Sequence, residues 1–263
     1  PGPGQKHSGE PTSPPDAASS VSAKILIDSV VSTGLNAAYT ALNPLCIITI
    51  EDMEIERTGE DDCNAVSMGH AGGINTLRRC IIYSTVNVSN FPTIMPIVYA
   101  KVAEPHLGGN QTNIHSNIIW KESGIVTPPC GIENIIDYDG LGNLESGANI
   151  TNNTVLYCDK GIRQDDKNSY GTIPHIGYMM NNISMGNVTA DFEYGAGTTG
   201  GVSGGALNNM SSDGTSLAMM GYTPASQFVD PATPSPVLFL KTGVFAINKA
   251  VNLYLSYMTG TEE

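Results

Sequence analysis

Charge is scarce in this chain. Lys, Arg, Asp and Glu together make up 14% of 263 residues, and only 12 of those are basic. The balance leaves a formal net charge of -13 at pH 7, which turns a nucleic-acid backbone away as a partner. Aromatic residues are also few, at 6%, with a single Trp. No apolar run approaches the roughly 18 to 20 residues that a membrane helix needs. The five cysteines, Cys46, Cys63, Cys80, Cys130 and Cys158, form no C-x-x-C pair, which argues against a zinc or redox site. No metal or other cofactor is expected. Heptads and a P-loop are missing, and no internal repeat is apparent. The string GHAGG (69–73) is too short to cradle a phosphate.

Small, polar and turn-forming residues are plentiful instead. Gly numbers 29 and Pro 16, while apolar residues reach 40%, enough for a globular interior. Such a balance predicts an all-β protein rich in turns. Residues 1–24 are rich in Pro, Gly and Ser and read as a flexible tail. Short apolar runs follow: LCIITIE (45–51), CIIYSTVNV (80–88), MPIVYAKV (95–102), NIIWKE (117–122), TVLYC (154–158), SLAMMGY (216–222) and PVLFLKTGVFAI (236–247). Their Val, Ile, Thr and Tyr content predicts strands, separated by turns such as Asp213-Gly214. The spacing suits a sandwich or barrels. One helix is expected at the end, where Ile247, Val251, Leu255 and Met258 recur at helical intervals. Asn-x-Ser/Thr triplets begin at Asn87, Asn110, Asn149, Asn152, Asn182, Asn187 and Asn209. With the cysteines, and a start at Pro1 that suggests a removed leader, they point to a secreted glycoprotein.

Residues 198–209, TTGGVSGGALNN, place Ser203 between glycines, a setting that exposes a hydroxyl and leaves room for an oxyanion. This loop, the strand after it and KTGVFAINKAVNLYLSYM (241–258) resemble the end of a chymotrypsin/trypsin-like serine protease. HSNIIWKES (115–123) resembles the strand carrying that family's aspartate, and TPPC (127–130) its following Pro-x-Cys. The resemblance implies two antiparallel six-stranded β-barrels, about 25–145 and 146–243, and a C-terminal α-helix at about 246–258. It also implies a Cys63–Cys80 disulfide.

The same resemblance implies a broken catalytic site. Arg79 stands at the histidine position and cannot accept a proton, and Asn117 stands at the aspartate position. Ser203 is then a remnant beside oxyanion-hole-like donors at Gly201 and Ser203. Val202 cannot pair with a new N-terminus. Gly197, Tyr222, Thr223 and Pro224 occupy pocket positions, where proline lacks the N–H that would pair with a peptide. The expectation is a secreted, inactive protease homologue that acts by binding protein partners as decoy, inhibitor or cofactor. Two alternatives stand beside it. One is an active serine hydrolase using Ser203 with His70 or His115. The other is an all-β structural or coat glycoprotein.

Overall fold

The computed structural model describes residues 24–27, 33–36, 47–58, 64–68, 74–85, 96–103, 111–122, 129–137, 147–166, 178–194, 206–216, 220–232 and 236–241. The expected tail up to residue 23, the closing helix and Ser203 with its flanking glycines lie outside these residues, whereas Lys24, the expected last residue of the tail, begins a strand.

Nineteen strands, β1 to β19, wind through three sheets in strict rotation, and every pairing among them is parallel. The first sheet, A, holds β1 (Lys24–Ile27), β4 (Glu54–Arg57), β7 (Ile81–Ser84), β10 (Ile118–Lys121), β13 (Thr154–Leu156), β16 (Ile183–Met185) and β19 (Met210–Ser211). Sheet B holds β2 (Thr33–Asn36), β5 (Asn64–Met68), β8 (Val98–Ala103), β11 (Ile132–Asp137), β14 (Lys160–Asp166) and β17 (Ala190–Tyr194). Sheet C holds β3 (Ile47–Glu51), β6 (Ile74–Arg78), β9 (Gln111–His115), β12 (Gly147–Thr151), β15 (Met179–Met180) and β18 (Ala206–Leu207). Each strand pairs with the one three places later, so the chain coils as a three-sided parallel β-helix.

This overturns the expected pair of antiparallel barrels. Several strands stand where sequence placed them, including β7, β8, β10 and β13, but their direction and partners differ. Period-2 alternation and β-branched residues specify a strand with one buried face; neither specifies whether its neighbour runs parallel or antiparallel.

The alternating residues explain the packing. Ile50, Leu77, Ile114, Ile150 and Met179 form one in-register inward row along sheet C. Val66, Val98, Ile132, Ile162 and Phe192 form another along sheet B. Ile55, Ile82, Ile119 and Val155 complete the bore from sheet A. These side chains belong to one buried cluster, with Ile50 only partly buried.

The outward face of sheet A is also apolar and is covered by the chain's own C-terminal part. Helix α1 (Pro224–Gln227) leads into an antiparallel pair, β20 (Phe228–Asp230) and β21 (Val237–Leu240). Phe228, Leu238, Leu240 and Tyr222 pack with Ile81, Tyr83, Trp120, Leu156, Met185 and Met210. The rings of Tyr83 and Trp120 stack at 4.4 Å and 11°. SLAMMGY, expected as a strand, is not one at its described ends: the Ser216 N–H donates back to Ser211 Oγ outside any strand, and Gly221 has φ +81°.

Candidate functional site

The corner between sheets C and A is the most regular part of the molecule. In all six cases it contains two residues: 52–53, 79–80, 116–117, 152–153, 181–182 and 208–209. The first of each pair is left-handed, with φ of 54° at Asp52, 53° at Arg79, 59° at Ser116, 57° at Asn152, 56° at Asn181 and 53° at Asn208. Asn and Asp tolerate that conformation best, and they fill four of the six positions.

The second position builds an asparagine ladder. Asn117 donates its backbone N–H and its Nδ2 to Asn153 Oδ1, at 3.1 and 3.0 Å. Asn153 repeats this onto Asn182 (3.0 and 3.1 Å), and Asn182 onto Asn209 (3.0 and 3.1 Å). The remaining Nδ2 hydrogen of each turns back to a carbonyl one coil earlier: Leu77 for Asn117, Ile114 for Asn153, Ile150 for Asn182 and Met179 for Asn209. Buried amides are thus satisfied in a continuous chain. Cys80 takes the rung below Asn117. Its N–H donates to Asn117 Oδ1 at 3.0 Å, and its Sγ lies 3.8 Å from Ile50 O, where an asparagine would reach.

These facts relocate the protease-like residues. Asn117 is 1% exposed and structural, not the orienter of a histidine. Arg79 is an exposed corner residue, paired to Asp52 Oδ1 at 2.8 Å and Glu51 Oε2 at 2.7 Å. Its Asp52 and Glu51 partners hold its proton affinity well above the ordinary guanidinium value, despite partial desolvation. Cys80 carries a free, buried thiol, so the expected bridge to Cys63 is not formed; Cys63 itself lies outside the described residues. Burial pushes the Cys80 thiol up to about 11. Tyr222 belongs to the cluster beneath the C-terminal pair, Thr223 is the N-cap of α1 and Pro224 its first residue, so none lines a substrate groove. His115, half-buried, has Nδ1 3.4 Å from Ser116 Oγ. Ser203, Gly201, Gly197 and His70 lie outside the described residues.

The sequons divide in the same way. Asn182 and Asn209 are ladder rungs at 0% and 2% exposure, with their Nδ2 atoms hydrogen-bonded inside. Asn187 uses Nδ2 on Ser184 and Asp191, and Asn149 uses it on Asn113. Asn152 is the exposed one of the five described. Asn87 and Asn110 are outside the described residues.

Sheet B presents a different surface. Ser67, Tyr99, Glu133, Arg163 and Glu193 stand in register along its outward face. Arg163 bridges the two carboxylates, with Nη1 2.6 Å from Glu133 Oε1 and Nε 3.1 Å from Glu193 Oε1. Lys160 Nζ sits 2.7 Å from Glu193 Oε2. Both corners flanking this sheet vary in length. The A-to-B connections run from 3 residues (157–159) to 13 (85–97), and the B-to-C connections from 5 (69–73) to 12 (167–178). Sequence reasoning missed this face, because its members come from five strands at irregular spacing.

Among the described residues, no group of three or more His, Cys, Asp or Glu is placed to hold a metal ion. No helix there is long and apolar enough to cross a membrane. No family model, no curated protein and no solved structure matches the chain.

Proposed function

We propose that the protein is a non-catalytic binding scaffold: a β-helix that displays sheet B and its two flanking corners to a macromolecular partner. One observation carries the reading. The C-to-A corner keeps a fixed two-residue length with its ladder donors satisfied, while the corners beside sheet B vary from 3 to 13 and from 5 to 12 residues. Recognition surfaces concentrate on segments whose length can change without disturbing a rigid frame. The in-register Tyr99, Glu133, Arg163 and Glu193 give that face an aromatic and paired charges of both signs, which suits a polar protein or glycan surface better than a lipid or nucleic acid. This keeps the binding role expected from sequence and gives it a different architecture.

The test is an array of extracellular-matrix proteins and glycans probed with the full chain. Replacing 167–177 by a Gly-Ser connection of four residues, or changing Tyr99→Ala with Arg163→Ala, should abolish a bound spot and leave the circular-dichroism melt unchanged. Binding that survives both changes would refute the assignment to this face. Turnover of an ester or peptide that disappears in Ser203→Ala would refute the non-catalytic reading.

A further inference from the structure

The bore turns polar at the corner between sheets B and C. On sheet B, the residues two places after the inward Val66, Val98, Ile132 and Ile162 are Met68, Ala100, Asn134 and Gln164, which face inward by the same alternation. On sheet C, the residues two places before Ile50, Leu77, Ile114 and Ile150 are Ile48, Asn75, Thr112 and Ala148. All of these but Ile48 are buried. Strands β8 and β12 approach one another across the corner, so the two rows face the same part of the bore.

Asn134 differs from the other asparagines in the interior. It is 0% exposed, and neither its Nδ2 nor its Oδ1 has a hydrogen-bond partner. The ladder asparagines meet the same burial with bonds to one another. Asn134 has Ala100 on one side, which offers no polar side-chain atom, and Gln164 on the other, about 4.8 Å away at the backbone. In a dry interior such an amide would forfeit its donors and its acceptor together.

No side chain of the two rows is charged, so nothing there would balance an ion. The unserved groups are a donor and an acceptor, which a neutral molecule carrying both can satisfy. Ala100 and Ala148 are the shortest side chains of their rows and leave space beside Asn134. A water takes about 30 Å³ of space and two to four polar partners. Gln164 stands next to Asn134 in register, and Thr112 next to Ala148. We propose that the bore at the B-to-C corner binds ordered water, with Asn134 Nδ2 donating to it and Oδ1 accepting from it. The site lies on the inner side of sheet B and is independent of what the outer side binds.

Two measurements on the wild-type protein and one variant decide the matter. A high-resolution crystal structure should show water within about 3 Å of Asn134 Nδ2 and of Oδ1. In solution, the Asn134 side-chain amide hydrogens should give a rotating-frame Overhauser effect to water. Asn134→Leu removes both polar atoms at nearly constant volume, so it should lose that water and melt within about 2 °C of the wild type or above it. Asn153→Ala, which strips partners from chain groups, should melt far lower. A chain donor or acceptor seated on the Asn134 amide, or an ion or organic molecule in place of water, would overturn the proposal. So would an Asn134→Leu protein that melts as low as Asn153→Ala. If Asn134→Leu does not fold, the wild-type crystal and the Overhauser effect decide.

Discussion

Replacing Asn153 by Ala should be among the most damaging single changes available to this fold. The side chain donates to Ile114 O at 2.8 Å and to Asn182 Oδ1 at 3.1 Å, and it accepts from both the backbone and the side chain of Asn117. Truncation leaves Asn182 Oδ1 with the Asn153 backbone N–H, at 3.0 Å, so that acceptor is still served. Two groups are not: the Asn117 N–H and one Asn117 Nδ2 hydrogen, while the Ile114 carbonyl keeps its place in the ladder between β9 and β12. The site is 0% exposed at Asn153 and 1% at Asn117, so bulk water does not replace the lost partners. At about 1–3 kcal/mol for each orphaned buried group, with partial relaxation, the cost should be about 3–5 kcal/mol. That is a large share of the roughly 5–15 kcal/mol that holds a typical domain together. Urea unfolding followed by circular dichroism would read it as a lower midpoint. The neighbour provides the control. Asn152 is exposed with φ 57°, a conformation glycine adopts freely, so Asn152→Gly should change stability by less than about 1 kcal/mol. If Asn153→Ala costs no more than Asn152→Gly, the ladder is not the structural element described here.

Three further outcomes follow from the same geometry. Cys80→Asn should raise stability by about 1 kcal/mol, because the new amide extends the ladder to Ile50 O and to the second lone pair of Asn117 Oδ1; a loss in thermal melting would contradict that. Cys80 and Cys158, both buried and with thiols pushed upward by burial, should resist iodoacetamide in the native protein and label fully in denaturant without reductant; failure of Cys80 to label there would restore the disulfide. Burial pulls the Asp213 carboxyl up, but hydrogen bonds from Thr215 and Asp191 outweigh it and hold it below its ordinary value. Its folded form therefore prefers the carboxylate, so its contribution is present above about pH 4 and fades as pH falls through the lower folded value. Asp213→Asn should flatten that part of the acid limb in a pH series of melts, and an unchanged limb would refute the assignment.

The sequence carried more of this fold than the protease resemblance used. The tripeptide-like strings SNI at 116, NNT at 152, NNI at 181 and NNM at 208 are the ladder corners, each beginning a sheet A strand. They escape notice as a repeat because their spacing is 36, 29 and 27 residues, stretched by connections of unequal length beside sheet B. RRC at 78–80 hides another corner, since Cys80 stands where an asparagine would advertise it. The same strings satisfy the Asn-x-Ser/Thr pattern at Asn182 and Asn209, so a buried structural amide carries the sequence signature of a glycan acceptor. Ser184 and Ser211 complete those triplets and are themselves buried and hydrogen-bonded. The sheet B face was not legible, because register between distant strands is a tertiary property. Glu133 meets Arg163 and Arg163 meets Glu193 only once the coils are stacked.

The parallel three-strand winding can be tested directly with engineered disulfides. Glu133 and Arg163 stand opposite one another on β11 and β14, and both side chains face outward. In the double variant Glu133→Cys/Arg163→Cys, mild oxidation should close a bond between the two new cysteines. The parallel register then requires Glu193→Cys to close equally well with Arg163→Cys, thirty positions along the chain. Peptide mapping should find both crosslinks at near-stoichiometric yield in a protein that keeps its native melt. If neither pair closes, while the native thiols of Cys80 and Cys158 become reactive, the chain is not the stacked β-helix on which the scaffold reading rests.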